Sequence, residues 1–225
     1  MSKVVNPFSH RLGILRDWRH RGFAEGAAYR DNLKADVLLR EFLLKQLRGM
    51  YIGGLEIERG NGKLRVIVKT SRPGIIIGRS GEGSLKMRNS IADFLKKKNL
   101  PVPEIKLDIE EIRNPEGNAA IVAYMVAEGL EKRLAFRRVM KQTVEKVMAN
   151  REVKGVRIGL SGMLGGGSMS RTEHLKKGRI PLQTLRADVD FARERANLPL
   201  GVIGVKVWIY KGDIFAKNAK ENKQQ

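Results

Sequence analysis

The sequence predicts an α+β protein of two successive units, and three observations carry that reading. Its 225 residues, 42% of them hydrophobic, are enough for two ordinary cores. Apolar residues recur at helical spacing in some segments and alternate at strand spacing in others. The turn-forming run Asn114-Pro115-Glu116-Gly117 separates two stretches that each mix both periods, which puts a boundary near Arg113.

In chain order, residues 1–16 read as a basic N-terminal arm, and a first domain spans 17–113. From Tyr29 to Arg48, Leu33, Val37, Leu38, Phe42, Leu43 and Leu47 form a broad helical stripe among charges. Leu55 and Ile57 then alternate with Glu56 and Glu58, and Leu64, Val66 and Val68 alternate with Arg65 and Lys69. Between them Asn61-Gly62 supplies a turn, so the pair is a β-hairpin. Pro73 opens a short helix through Ile75–Ile77, Gly78-Arg79-Ser80-Gly81 breaks it, and a second helix runs from Glu82 to Lys98. After Pro101 and Pro103, Ile105, Leu107 and Ile109 mark one more strand.

The second domain, 114–213, is read as two helices at Asn118–Lys132 and Phe136–Asn150, then strands at Val156–Ser161, Leu185–Phe191 and Val202–Tyr210. Residues 214–225 are expected to be a disordered tail, because from Ala216 on the chain is polar, with Lys217, Lys220 and Lys223, and lacks the apolar residues needed to offset the entropy of ordering.

Charge narrows the function. Forty-four Lys+Arg against 24 Asp+Glu give a formal +20 and a pI near 10.4. The expected partner therefore has a dense negative charge. No window approaches the roughly 18 consecutive apolar residues of a membrane span, which leaves nucleic acid. Absence of cysteine rules out disulfides and thiolate metal sites and fits a reducing compartment. The N-terminal region lacks the apolar core of a secretory signal, and Arg11, Arg16, Arg19 and Arg21 read as part of the basic arm rather than a transit peptide.

Gly78-Arg79-Ser80-Gly81 lies between two predicted helices, where glycines allow close approach of a phosphodiester and Arg79 with the next helix N-terminus offers positive charge. A lone G-x-x-G is common. The order helix, strand, strand, helix, G-x-x-G, helix, strand, however, resembles the type II KH fold of RNA-binding proteins. Arg137, Arg138 and Lys141 share one helical face opposite Phe136, Met140, Val144 and Val147. That face is either simply solvated or, with Lys132, Arg133 and Lys146 extending it, a surface for RNA.

Other motifs carry less. Gly162–Gly167 is followed by Ser168 where a P-loop needs its Lys, so the segment reads as a flexible hairpin connection, with Arg171 and Arg179 nearby as possible rRNA contacts alongside Arg11 and Arg16. Asp188 and Asp190 lack neutral co-ligands and are expected in salt bridges with Arg186 or Arg193 rather than on a metal. His10, His20 and His174 have no ligand spacing, and no nucleophile sits in a catalytic signature. No cofactor, metal or enzymatic activity is expected. Trp208 and Tyr210 either stack on bases or cover the second core.

More specific wording appears in Asn6-Pro7 with Arg11-Leu12-Gly13, in Ile76-Ile77-Gly78-Arg79-Ser80-Gly81-Glu82, in Arg137-Arg138-Val139-Met140-Lys141, in the run from Gly178 to Asp188, and in Gly201–Gly212. Over about residues 2–213 the sequence resembles the bacterial small-subunit ribosomal protein S3 (uS3) family. The resemblance implies an N-terminal type II KH domain and a C-terminal α+β domain in the head of the small subunit, ribosome-bound in the cytoplasm. Its partners would be rRNA, mRNA and the neighbouring head proteins S10 and S14. It further implies that Arg137, Arg138 and Lys141 grip message at the mRNA entrance and assist its unwinding, and that Arg79 is the basic part of the KH loop. Two positions depart from the family pattern: Ser80 stands where a second basic loop residue is usual, and Met163 where an arginine is usual. Each removes a possible phosphate contact. Two competing classes are a free-standing KH regulator and, much less favoured without the P-loop Lys, a phosphoryl-transfer enzyme.

Overall fold

The computed structural model describes residues 5–60 and 62–215. Contacts divide the chain into two compact units. One is Trp18–Arg113, and the other joins the segment up to Asp17 to everything from Asn114 onward.

The unit Trp18–Arg113 contains β1 (His20–Arg21), helix α2 (Gly26–Gln46), β2 (Ile52–Gly60), β3 (Lys63–Thr70), α3 (Pro73–Ile77), α4 (Glu82–Lys97) and β4 (Glu104–Glu111); α1 (Pro7–His10) belongs to the other unit. Its sheet has the order β1-β2-β3-β4. The β2–β3 hairpin is antiparallel, and β4 returns parallel to β3 because the α3–α4 crossover intervenes. Of the expected Asn61-Gly62 turn, Asn61 lies outside the described residues. The short β1 strand, parallel to β2, is additional to the expected elements.

Helix α2 corrects the expected stripe. Its core residues are Ala35, Leu39 and Leu43, followed by Leu47, whereas Leu33 and Val37 are each 50% exposed. Apolar side chains occupy more than one face of this helix, so spacing alone did not orient it; packing against α4 and the sheet did. Leu39, Leu43, Leu64, Val66, Ile91 and Leu95 form the centre of the core. Each such buried aliphatic side chain contributes on the order of 1.5–3 kcal/mol.

The other unit comprises α1 (Pro7–His10), α5 (Ala119–Glu131), α6 (Phe136–Ala149), β5 (Gly155–Gly162), β6 (Arg171–Gly178), β7 (Ala187–Leu198) and β8 (Gly201–Asp213). The sheet order is β6-β5-β8-β7, antiparallel throughout. Asn118 caps α5 by accepting from the backbone N–H of Ala120 at 2.9 Å. Helices α5 and α6 pack on one sheet face over Val126, Val144, Ile158, Val205 and Val207. The Gly162–Gly167 segment lies at the connection between β5 and β6, as a hairpin connection should, whereas strand β6 itself is additional to the strands expected from sequence. Strand β7 starts two residues later than expected and runs on to Leu198.

The opposite sheet face carries a smaller cluster of Ala187, Val189, Trp208 and Tyr210, covered by Ile180, Leu182 and Phe191. Trp208 and Tyr210 are thus core residues, not a base-stacking surface. Arg11, expected as an rRNA contact in a basic arm, is instead buried. It donates to the carbonyls of Pro7, Leu182 and Thr184 at 3.0, 3.0 and 2.9 Å, to Pro181 at 3.3 Å, and also to Ala187. Five donors in a rigid fork suit a guanidinium and no other side chain. Arg11 thereby holds the 181–184 segment that closes the second cluster.

The acidic pair on β7 is also resolved. Asp188 accepts from Arg16 at 2.6 Å, and Asp190 accepts from the first backbone N–H of α5, at Ala119, at 2.9 Å. Among the described residues neither pairs with Arg186 or Arg193; Arg186 instead meets Asp213 at 3.5 Å. Of the expected tail at 214–225, Ile214 donates its backbone N–H to the Arg186 carbonyl at 2.9 Å, and residues 216–225 lie outside the described residues.

Candidate nucleic-acid interface

In the first unit the loop follows from local constraints on the backbone. Gly78 has φ +69° and ψ −175°, a conformation open essentially to glycine alone. Ser80 and Gly81 follow at φ +54° and +81°. A Cβ at Gly83 would lie 2.4 Å from the Ile76 carbonyl oxygen and 2.9 Å from that of Ile77. Gly83 is therefore the residue that lets α4 close on α3, a role the G-x-x-G pattern does not reveal. Arg79 and Ser80 are exposed at the turn. Helix α4 has no side-chain N-cap; the backbone N–H of Glu82 donates to the Arg79 carbonyl, and the Glu82 carboxylate stands in the first turn, where it complements the helix dipole.

In the second unit, α6 turns Val139, Met140, Val144 and Val147 into the core and leaves Arg137, Arg138 and Lys141 exposed. Phe136 packs at the edge of that core. The three cations are not equivalent. Arg137 donates through Nε and Nη2 to the two oxygens of Glu173 on β6, both at 3.2 Å. Its guanidinium also lies 5.5 Å from the Phe136 ring centre. Hydrogen bonding to Glu173 raises the Arg137 pKa, and the same bond holds the Glu173 carboxyl below its ordinary range. Arg138 and Lys141 have no ion-pair partner among the described residues.

Arg171 shares Glu173 at 3.4 Å and sits 5.7 Å from the Phe136 ring. Arg179 is exposed, and so are Lys176 and Lys177, which the sequence reading did not single out although the run Lys176-Lys177-Gly178-Arg179 was visible. Lys176 and Lys177 lie on β6, an edge strand, and Arg179 just past its end; cations there both discourage edge pairing and form a basic row. Arg16 is committed to Asp188 and only partly exposed. Met163, where the resemblance leads one to expect arginine, reaches toward Gly201, at which a Cβ would meet the Met163 Cε at 2.9 Å.

Two exposed cationic features, one loop and one helix, thus stand on separate folded units. Among the described residues no group of three metal-ligating side chains occurs, and no helix is long and apolar enough to cross a membrane. Comparison with known families matches residues 38–117 to the KH domain and residues 126–209 to the domain described as ribosomal protein S3, C-terminal domain. A small ribosomal subunit protein uS3 of Pseudomonas fluorescens (strain Pf0-1) is 42% identical over 225 residues, spanning all of this chain and 96% of the relative. Its namesake in Clostridium botulinum (strain Okra / Type B1) is 37% identical across the whole chain and 98% of the relative.

The chain belongs to the uS3 family.

The uS3 assignment accounts for the KH fold followed by a second α+β domain, and RNA binding and the absence of an enzymatic role follow from the family. In this uS3 chain the exposed cations are presented by the two matched domains, Arg79 within the KH segment and Arg138 and Lys141 within the C-terminal one.

Proposed function

We propose that this uS3 protein is a structural constituent of the small-subunit head, held on rRNA by its Lys and Arg side chains beside the neighbouring proteins S10 and S14. Helix α6 contacts single-stranded message at the mRNA entrance. The observation that supports the message contact is the geometry of α6: one face is locked into the core, and the opposite face projects Arg138 and Lys141 without ion-pair partners. A helix fixed in this way keeps its cations on the outer face, so contact with phosphates restricts their side-chain rotamers but needs no ordering of the backbone.

Arg137 is braced by Glu173 and shapes the site more than it adds charge. The KH loop offers Arg79 as a second RNA contact, and Arg171 on β6 and Arg179 just past its end offer further rRNA contacts. Help in unwinding the message is steric and electrostatic, with the energy coming from the translocating ribosome. The boundaries that go with this reading are an arm at 1–16, the KH domain at 17–113, the C-terminal domain at 114–213 and a tail at 214–225.

The test is sedimentation of lysate through sucrose at low and high salt. Retention on small subunits through the salt wash supports the ribosomal placement; migration as free protein would favour an independent KH regulator. In cells that retain the protein on ribosomes, Arg138→Ala with Lys141→Ala should slow translation through structured messages, and an unchanged rate would remove the message contact.

A further inference from the structure

Strand β1 is two residues long, and it fastens the chain to the edge of the KH sheet just past the unit boundary at Asp17. It pairs with β2 through His20 and Ile57 and through Arg21 and Glu58, and the Ile57 backbone N–H donates to the Arg19 carbonyl at 3.2 Å. The His20 ring reaches α2, where its Nε2 lies 3.2 Å from Nη1 of Arg40. A guanidinium only donates, so Nε2 is the bare, accepting nitrogen and the ring proton sits on Nδ1. That Nδ1 is buried and has no partner.

The contact therefore suits the neutral ring alone. A proton on Nε2 removes the acceptor and sets two cations against each other. Both carboxylates that face the ring are already engaged: Asp36 of α2 accepts from Arg59 at 2.6 Å, and Glu56 of β2 meets Lys69 at 2.9 Å. Arg19, next to His20 in the chain, adds a further positive charge. Burial above all, then the Arg40 charge, holds the His20 pKa below its ordinary 6.5, with Asp36 and Glu56 opposing.

We propose that β1 is a pH-sensitive clip, closed while His20 is neutral and opened in mild acid, when its release uncovers the outer edge of β2. Two features make the clip easy to open. A two-residue strand gives up few backbone hydrogen bonds, and release returns both ring nitrogens to water, including the Nδ1–H that the closed form leaves unpaired. The closed form binds the ring proton less readily than the open one. Its advantage is thus complete above the ordinary histidine value and declines as pH falls below it. Opening would bare the β2 backbone at Glu56–Glu58, an unpaired strand edge.

Amide exchange in the full chain, corrected for its intrinsic pH dependence, tests the clip. Between about pH 7.5 and about pH 5 the Ile57 N–H should lose protection about three-fold or more, while the amides of Leu64 and Val66 on β3 hold theirs. His20→Gln keeps an oxygen that accepts from Arg40 at either pH, so its Ile57 amide should stay protected throughout. Arg40→Met keeps the stem and removes the donor and its charge, and should shrink the loss; it decides alone if His20→Gln does not fold. Protection at Ile57 that is constant with pH in the unsubstituted chain, or that falls as far in the deciding variant, overturns the proposal.

Discussion

Arg137 of α6 and Glu173 of β6 are joined by two parallel hydrogen bonds, Nε to Oε2 and Nη2 to Oε1, each 3.2 Å long. The pair links the helix proposed to meet message with the edge strand beside it, and Arg171 leans on the same carboxylate. One of three adjacent cations is therefore partly neutralised before any RNA arrives. Glu173→Gln should release it. Binding of single-stranded RNA to the full chain should tighten about two- to five-fold at low salt, and the slope of log affinity against log salt should steepen by up to about 0.7. An unchanged slope would mean that Arg137 does not reach phosphate even when freed.

Glu173 also sets a pH dependence. Its carboxyl titrates below the ordinary value of 4.5, first because Arg137 hydrogen-bonds the ionised form. A depressed carboxyl pKa contributes stability above the unfolded value, and that contribution is lost as pH falls through the folded value. The bridge should hold at neutral pH and open only in acid. Side-chain carboxyl NMR should show the Glu173 midpoint below 4.5, moving upward in Arg137→Ala. The exposure of Arg137 keeps the effect on global stability small.

Arg11→Lys should destabilise the C-terminal unit by about 3 kcal/mol or more, because an ammonium has three donors where five backbone carbonyls need partners. Burial lowers the Arg11 pKa, with Asp188 opposing, yet a guanidinium stays charged at any physiological pH. Arg11→Ala should cost at least as much. Denaturant unfolding measures both, and a loss under about 1 kcal/mol in the lysine variant would show that the fork is dispensable.

Gly83→Ala should loosen the KH loop without touching a cation. The added methyl would stand 2.4 Å from the Ile76 carbonyl oxygen, so α3 and α4 must separate. A loss of about 1–3 kcal/mol is expected from such overpacking. Hydrogen exchange should show faster opening at residues 73–85 than in the α5–α6 region.

Ser80→Lys should add a phosphate contact at the loop. Ser80 is exposed at φ +54°, a conformation already strained for any L side chain, so the exchange brings little new backbone cost. RNA affinity of the full chain should rise and its salt slope should steepen by about 0.7. No change in slope would place the loop away from the phosphates.

Much of this was legible in the residues. The alternation at Leu64, Val66 and Val68 and the break at Gly78–Gly81 located the KH elements, because period and φ are properties of a few adjacent residues. The exposed face of α6 was legible for the same reason. The α2 stripe was not, since Leu33 and Val37 are as apolar as Leu39 and Leu43 and only the neighbouring elements choose between them. Strand β6 escaped notice because Arg171–Gly178 is mostly polar, as an edge strand with one exposed face permits.

By itself the sequence determined the two-part α+β architecture, the net charge that calls for an anionic partner, and which helix face carries cations. Tertiary structure decided what each cation does. Arg11 and Arg138 are the same side chain with the same intrinsic charge, yet one is enclosed by five carbonyls gathered from Pro7 and from residues 181–187, and the other stands in water. The carbonyls that claim Arg11 lie mostly about 170 residues away along the chain. No local period encodes such a meeting, because it exists only once the sheet has brought the two segments together.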